Sequence, residues 1–414
     1  MARRVVVTGM GAVTPVGNTV EETWNNLVSG KSGIAPITAF DASEMEVKYG
    51  GEVKNFDPGE LFGRKEARRL DRYTHFVMEV SRQAIEDSQV LANGANRSRV
   101  GFVVGSCVGG VGSILEQYEV LQHKGPARVS PFLINMILPD TGPARVAIDY
   151  HLTGPNMAVL TACATGANSL GEAREIITRG DAEVMIAGGS EAVINPLILA
   201  GFQTMKALAL NSDDPAKACR PFDLNRDGFV MSEGAVVLVL EELEHARERH
   251  AKILAEFVGY GTSVDAYHMA APPEDGAGAV VAMQKAIQQA GIDPNEVDYV
   301  NAHGSGTRLN DKVETLAIKK VLGERAYDTV VSSSKSMTGH LFGAAGAIEA
   351  MVCVKSITDG IIPPTINYET PDPDCDLDYA PNEARRANVT VAMSNSFGLG
   401  GHNATIIFKK YLEN

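Results

Sequence analysis

The chain has 414 residues, 44% of them hydrophobic and 21% charged, enough apolar material for one large core or two mid-sized ones and too much for intrinsic disorder. Five irregularly spaced cysteines exclude a disulfide scaffold, and no apolar run reaches the roughly 18 residues of a membrane span. The 37 basic against 51 acidic residues leave a net charge of −14, which argues against nucleic-acid binding; a soluble, cytoplasmic protein without membrane contact is expected.

Val5-Val6-Val7 before Gly9 reads as a buried strand ending in a turn, not as a secretion signal. Lys65, Arg68, Arg69 and Arg72 follow at i, i+3, i+4, i+7, so a helix would carry them on one face. Such a stripe is either a solvated surface or a dock for an acidic partner, which Arg128 and Lys206 would extend. Amphipathic stretches at Glu79–Asp87, Ala167–Arg179 and Gly278–Ala290 predict helices. The glycine-terminated apolar runs Val100–Gly105, Val184–Gly189 and Val236–Leu240 predict strands buried on both faces. Their alternation predicts an α/β fold with parallel or mixed sheets. Glu241–His250 reads as a charged helix and Ile253–Gly261 as the next strand, so two halves are expected, residues 1–252 and 253–414, with the active site at their seam. Pro363–Pro381 holds five prolines and many aspartates and reads as an ordered surface loop.

Three positions stand out chemically. Met157–Thr161 leads through Ala162-Cys163-Ala164 into a predicted helix, so Cys163 falls at a strand-to-helix turn. The unpaired N–H groups and dipole of a helix start favour a thiolate there; the alternative is a small buried core residue. His303 follows Tyr299–Ala302 and opens Gly304-Ser305-Gly306-Thr307, while His340 lies in Lys335-Ser336-Met337-Thr338-Gly339-His340. Both fall at strand ends or helix starts, where α/β folds place ligands, and a capping or core histidine is the alternative. Cys107, in a glycine-rich turn, is a weaker pocket candidate. There is no Cys-x-x-Cys pair and no phosphate-loop motif, which speaks against zinc and dinucleotide sites.

These segments, together with Val5–Gly11 and Ser394-Asn395-Ser396-Phe397-Gly398-Leu399-Gly400-Gly401-His402-Asn403, resemble the β-ketoacyl-acyl carrier protein synthases along nearly the whole chain, most closely their elongating type II branch. The resemblance implies a thiolase-like fold of two similar α/β halves in five α-β-α-β-α layers, usually a homodimer. It implies that Cys163 carries the acyl chain as a thioester, and that neutral His303 and His340 stabilise the enolate formed when malonyl carrier protein loses carbon dioxide. It also implies that Lys335 supports the histidines, and that backbone N–H groups of Cys163 and Leu399 form an oxyanion hole. No cofactor is required beyond substrates held on the phosphopantetheine of an acidic acyl carrier protein.

The acyl pocket and its gate would comprise Cys107, Val108, Phe202, Phe342, Phe397 and Leu399. Ser305 and Thr307 would bind pantetheine, while Lys65, Arg68, Arg69, Arg72 and Lys206 dock the carrier. Asn301, Ala302, Glu349, Ser394 and Asn395 match positions that hold a structural monovalent cation, sodium or potassium, in some relatives. The chain departs from the family pattern at Gly306, Arg308 and Phe342, and at Cys107-Val108, which stands where glycine-isoleucine is common and predicts a slightly roomier gate. The Gly-Ser-Gly-Thr run is also similar to ketosynthases of aromatic polyketide assembly. A polyketide ketosynthase and a non-catalytic carrier-binding subunit therefore remain as competing functions.

Overall fold

The computed structural model describes residues 3–92, 94–210 and 212–413; Met1 and Ala2 at the start of the first predicted strand lie outside them. Ten strands form one mixed sheet: β1 (Val5–Val13), β2 (Val100–Gly105), β3 (Asn156–Met157), β4 (Val184–Glu191) and β5 (Gly234–Glu242), then β6 (Ala255–Val264), β7 (Tyr299–Asn301), β8 (Val330–Ser332), β9 (Val391–Gly398) and β10 (His402–Lys409). From the middle outward, one half runs β1-β5-β4-β2-β3 and the other β6-β10-β9-β7-β8. In each, the first two pairings are antiparallel and the last two parallel. The same topology therefore occurs twice. The halves meet where β1 pairs β6 through Val6↔Glu256 and Val7↔Ala255.

Alternation along the strands builds the layers. On β5, Val236, Leu238 and Leu240 face a central core with α2 (Thr165–Thr178) and α5 (Ala345–Asp359), while Ala235, Val237 and Val239 face an outer core with α1 (Arg72–Ser88). In the second half, Val391, Met393 and Ile407 face α3 (Ala277–Ala290) and α4 (Arg308–Leu322). Because side chains alternate with period two, a strand buried on both faces must be apolar throughout. The result is five layers, with α2 and α5 touching in the middle. Glycine permits that contact: a Cβ on Gly166 would lie 2.8 Å from Ala347 N, and one on Gly346 would lie 2.5 Å from Ala167 N.

Several expectations change. The first strand does not end at Gly9 but runs buried to Val13. Helix α1 starts seven residues before Glu79 because Asp71 caps it, accepting from Tyr73 N–H. Glu241 and Glu242 belong to β5, and the charged helix is only Leu243–Glu248. The segment 363–381 has no helix or ladder strand, yet it is not a surface loop: Thr365, Cys375, Tyr379 and Ala380 are buried.

The basic stripe does not form one helix face. Arg64–Ala67 is a four-residue helix and α1 begins afresh at Arg72. Arg69 pairs with Glu66 and lies over the Phe132 ring. Arg72 pairs at 2.6 Å with the buried Glu233 and lies over Phe76. Lys65, Arg68 and Arg128 stay exposed, without an ion pair among the described residues.

Candidate active site

The N-termini of α2 and α5 converge, and each is preceded by a non-glycine residue in the left-handed region, Ala162 at φ 49° and Phe342 at φ 47°. These sparsely populated conformations cost of order 1 to 3 kcal/mol each and collect at functional sites. They turn the chain so that Cys163 and His340 face one cavity of about 300 Å3, which His303, Phe202, Phe397 and Leu399 also line. The fold brings Cys163 of the first half and His303 and His340 of the second to this one cavity.

The two imidazoles lie with ring centroids 5.5 Å apart and planes at 83°. Both are buried, and burial together with the Lys335 charge holds both far below the usual histidine range, so both are neutral at pH 7. Their tautomers follow from their partners. Phe342 N–H donates to His340 Nδ1 at 3.1 Å, and Lys335 Nζ lies 3.4 Å from His303 Nδ1. Nδ1 being an acceptor in each ring, the proton sits on Nε2. Lys335 also donates to the His303 carbonyl at 2.6 Å and to Glu349 Oε1. Phe342, one of the unusual residues, stacks on His340 at 4.7 Å and 8°, which desolvates that ring.

Cys163 departs from expectation in its ionisation. Burial pushes the thiol up to about 11, outweighing the Lys335 charge and the backbone N–H groups of Leu399 and Cys163 aimed at the sulfur. The helix start alone does not make a thiolate here.

Cys107 and Val108 do not line the cavity. Cys107 Sγ donates to Ala162 O at 2.9 Å, and Val108 is 37% exposed in the single chain. Their turn is held by Glu191, which accepts from Ser106 Oγ, Cys107 N and, across the seam, Gly343 N. Ser305 and Thr307 line the cavity, their hydroxyls 3.0 Å apart. Gly306 between them sits at φ 82°, where its absent Cβ would lie 2.9 Å from Gly228 O, so glycine is needed in this turn. Lys206 lines the cavity mouth.

The five cation positions do not act as one set. Glu349 is occupied by Lys335, with its carboxyl raised to about 7 by burial. Asn395 Oδ1 accepts from Thr405, and its amide reaches Glu314. Asn301 Oδ1 and Ser394 Oγ, however, are buried without a hydrogen-bond partner among the described residues, and unpaired oxygens of this kind fit an oxygen-ligated cation. Sequence reasoning missed Glu314, which accepts from His303 N and Gly304 N, each at 2.8 Å, and thereby fixes the histidine loop. Its place eleven residues beyond His303, in the second turn of a helix, carried no signal beyond an ordinary amphipathic pattern.

Residues 2–246 match the β-ketoacyl synthase N-terminal domain and residues 254–369 its C-terminal domain. The chain belongs to the β-ketoacyl synthase family. It is 50% identical over 409 residues to a 3-oxoacyl-[acyl-carrier-protein] synthase 2 of Synechocystis, covering 99% of this chain and 98% of the relative. A Staphylococcus aureus protein of the same name is also 50% identical over 409 residues, covering 99% of each chain. Among solved structures, a type II polyketide ketosynthase in complex with its acyl-carrier protein superposes with TM-score 0.92 at 35% identity over the whole of both chains. A β-ketoacyl synthase from Burkholderia phymatum gives 0.91 at 34%, covering 99% of this chain and all of that one.

Proposed function

We propose that this chain is an elongating 3-oxoacyl-[acyl-carrier-protein] synthase of fatty acid biosynthesis, an acyltransferase that condenses malonyl carrier protein with a Cys163-bound acyl chain. The observation that carries the reading is the pair of Nε2–H imidazoles sharing one cavity with a cysteine sulfur that two backbone N–H groups approach. Cys163 Sγ attacks the acyl thioester, and the proton of Cys163 leaves on the released carrier thiol. The N–H groups of Cys163 and Leu399 hold the tetrahedral oxyanion. Malonyl carrier protein then binds, and as its carboxylate leaves as carbon dioxide, His303 and His340 donate to the thioester oxygen that gains charge. The resulting enolate carbon attacks the Cys163 thioester, and the sulfur departs as thiolate. Donors fixed in advance in a site closed to water supply most of the barrier reduction in such reactions.

Lys335 keeps His303 in its productive tautomer, Ser305 and Thr307 hold the pantetheine arm, and Phe397 and Leu399 gate the chain. Lys65, Arg68 and Lys206 receive the acidic carrier, whereas Arg69 and Arg72 are committed to internal partners. A sodium or potassium ion held by Asn301 and Ser394 oxygens, with the Ala302 and Asn395 backbone beside them, would be structural. The division at residues 252 and 253, between the half with the nucleophile and the half with the histidines, is supported by the repeated strand order. Homodimerisation is supported by the exposed edge strand β3 and by Ile114, Tyr118, Met157 and Leu160, all 40% exposed or more; a second copy there would cover Val108 and complete the acyl wall. A cytoplasmic location accords with five free cysteines.

The 50% identity to relatives named 3-oxoacyl-[acyl-carrier-protein] synthase 2, against 35% to a polyketide ketosynthase, favours the fatty acid pathway, and Cys163 itself disfavours a non-catalytic subunit. Condensation assayed on saturated acyl carriers of graded length tests the proposal. Turnover by the chain alone supports it, and activity that requires a partner chain lacking the cysteine overturns it.

A further inference from the structure

Arg308 is left without a role by the chemistry above. It is the first residue of α4, it is exposed, and its guanidinium makes no hydrogen bond or ion pair among the described residues. Its backbone, by contrast, is fixed. The buried Arg226 donates to Thr307 O at 3.2 Å and to Arg308 O at 2.9 Å while pairing with Asp372 and Asp311. Asp311 in turn accepts from Gly306 N at 3.2 Å. A free cation thus stands on an anchored base.

That base forms the wall of a second hollow, which shares Thr307, Lys206 and Ala207 with the catalytic cavity and so opens off its mouth. Gly306 contributes to it: Gly228 N donates to Gly306 O at 3.1 Å, and this close approach, open only to glycine, seats the turn against the hollow's floor. Lys206, in the left-handed region at φ 55°, is the second exposed cation on the shared rim and likewise makes no ion pair or side-chain hydrogen bond among the described residues. Two carboxylates, Glu46 and Asp227, line the second hollow but not the catalytic cavity, and Asp227 accepts from Leu210 N.

We propose that Arg308, with Lys206, binds the phosphodiester at the outer end of the phosphopantetheine arm. The inference rests on the reading of Ser305 and Thr307 as the arm's hydroxyl partners: an arm lying along them toward Cys163 brings its phosphate out at the mouth where these cations stand. A guanidinium offers a phosphate two parallel N–H donors, and such charge-assisted bonds are the strong class. The cation pair is a local exception in a chain of net charge −14.

The test compares three acyl donors with the same chain: the carrier-bound thioester, the free phosphopantetheine thioester, and the pantetheine thioester that lacks phosphate. In the unsubstituted protein kcat/KM for the phosphopantetheine donor should exceed that for the pantetheine donor by about 10-fold, the order expected of one charge-assisted bond. Arg308→Ala should bring this ratio close to one, and Arg308→Lys should restore part of it. A ratio unchanged in Arg308→Ala overturns the proposal, whether both donors lose equally, which marks a structural role, or only the carrier-bound donor loses, which marks acidic protein side chains as the partner. Turnover of the pantetheine donor by either protein reports on the condensing reading independently of Arg308. Absence of all turnover would sink that reading, and the phosphate site with it.

Discussion

Replacing Lys335 by methionine separates its structural from its chemical role. The side chain is 2% exposed and its partner Glu349 fully buried, so Lys335→Met strands a carboxylate in the core. Removing one member of a buried pair costs about 3–5 kcal/mol. The carboxyl, already raised to about 7, is driven higher still without the lysine and takes up a proton. The parent carboxyl protonates only near 7 and the variant's already at higher pH, so the stability lost relative to the parent shrinks as pH falls toward 7 and stays constant below it. Adding Glu349→Gln removes the stranded charge and should return most of the lost stability at pH 7. Catalysis should not return with it, because His303 Nδ1 still lacks its donor and the imidazole no longer holds a single tautomer. Loss of one preorganised oxyanion donor lowers rate by about 100-fold or more. Denaturant unfolding and carbon dioxide release from malonyl carrier protein, measured on both variants, decide the matter. A double variant that regained decarboxylation together with stability would refute the role assigned to Lys335.

Alkylation of Cys163 by iodoacetamide should accelerate about tenfold per pH unit from pH 7 toward 10, because burial raises the thiol to about 11; a plateau near pH 8.5 would contradict this. Reversing charge at Lys65 and Arg68 should raise KM for carrier-bound substrates several-fold and leave small thioesters unaffected. Arg72→Glu should instead lower stability, since it places two carboxylates together at the buried Glu233; equal KM effects on both substrate types would dismiss the docking surface.

Much of this molecule is legible in its sequence because its signals are strong and local. Apolar runs such as Val236–Leu240 read as strands buried on both faces, and Cys163, His303 and His340 stand at turns among small residues, the places where α/β folds put their ligands. What the sequence hides is long-range. Nothing near Asp71 announces that α1 begins there and breaks the basic stripe, and Arg72 finds Glu233 only through the fold. The Cys163 turn suggests a thiolate, yet its ionisation depends on burial by Phe202, Phe229 and Phe342, which lie far away in the chain. Glu349 has the right residue type for a cation ligand, and only the fold reveals that Lys335 already holds it. The twofold repeat of strand order is likewise invisible at the level of residues, because pairing pattern, not side-chain identity, is what the two halves share.

Carbon dioxide release from malonyl carrier protein by Cys163→Gln, compared with the same variant also carrying His303→Ala, bears most directly on the division of labour between sulfur and imidazoles. Decarboxylation that persists in the first, with condensation abolished, and collapses in the second is the expected result. Loss of decarboxylation in Cys163→Gln while both histidines keep their positions, or its survival without His303, would contradict the account.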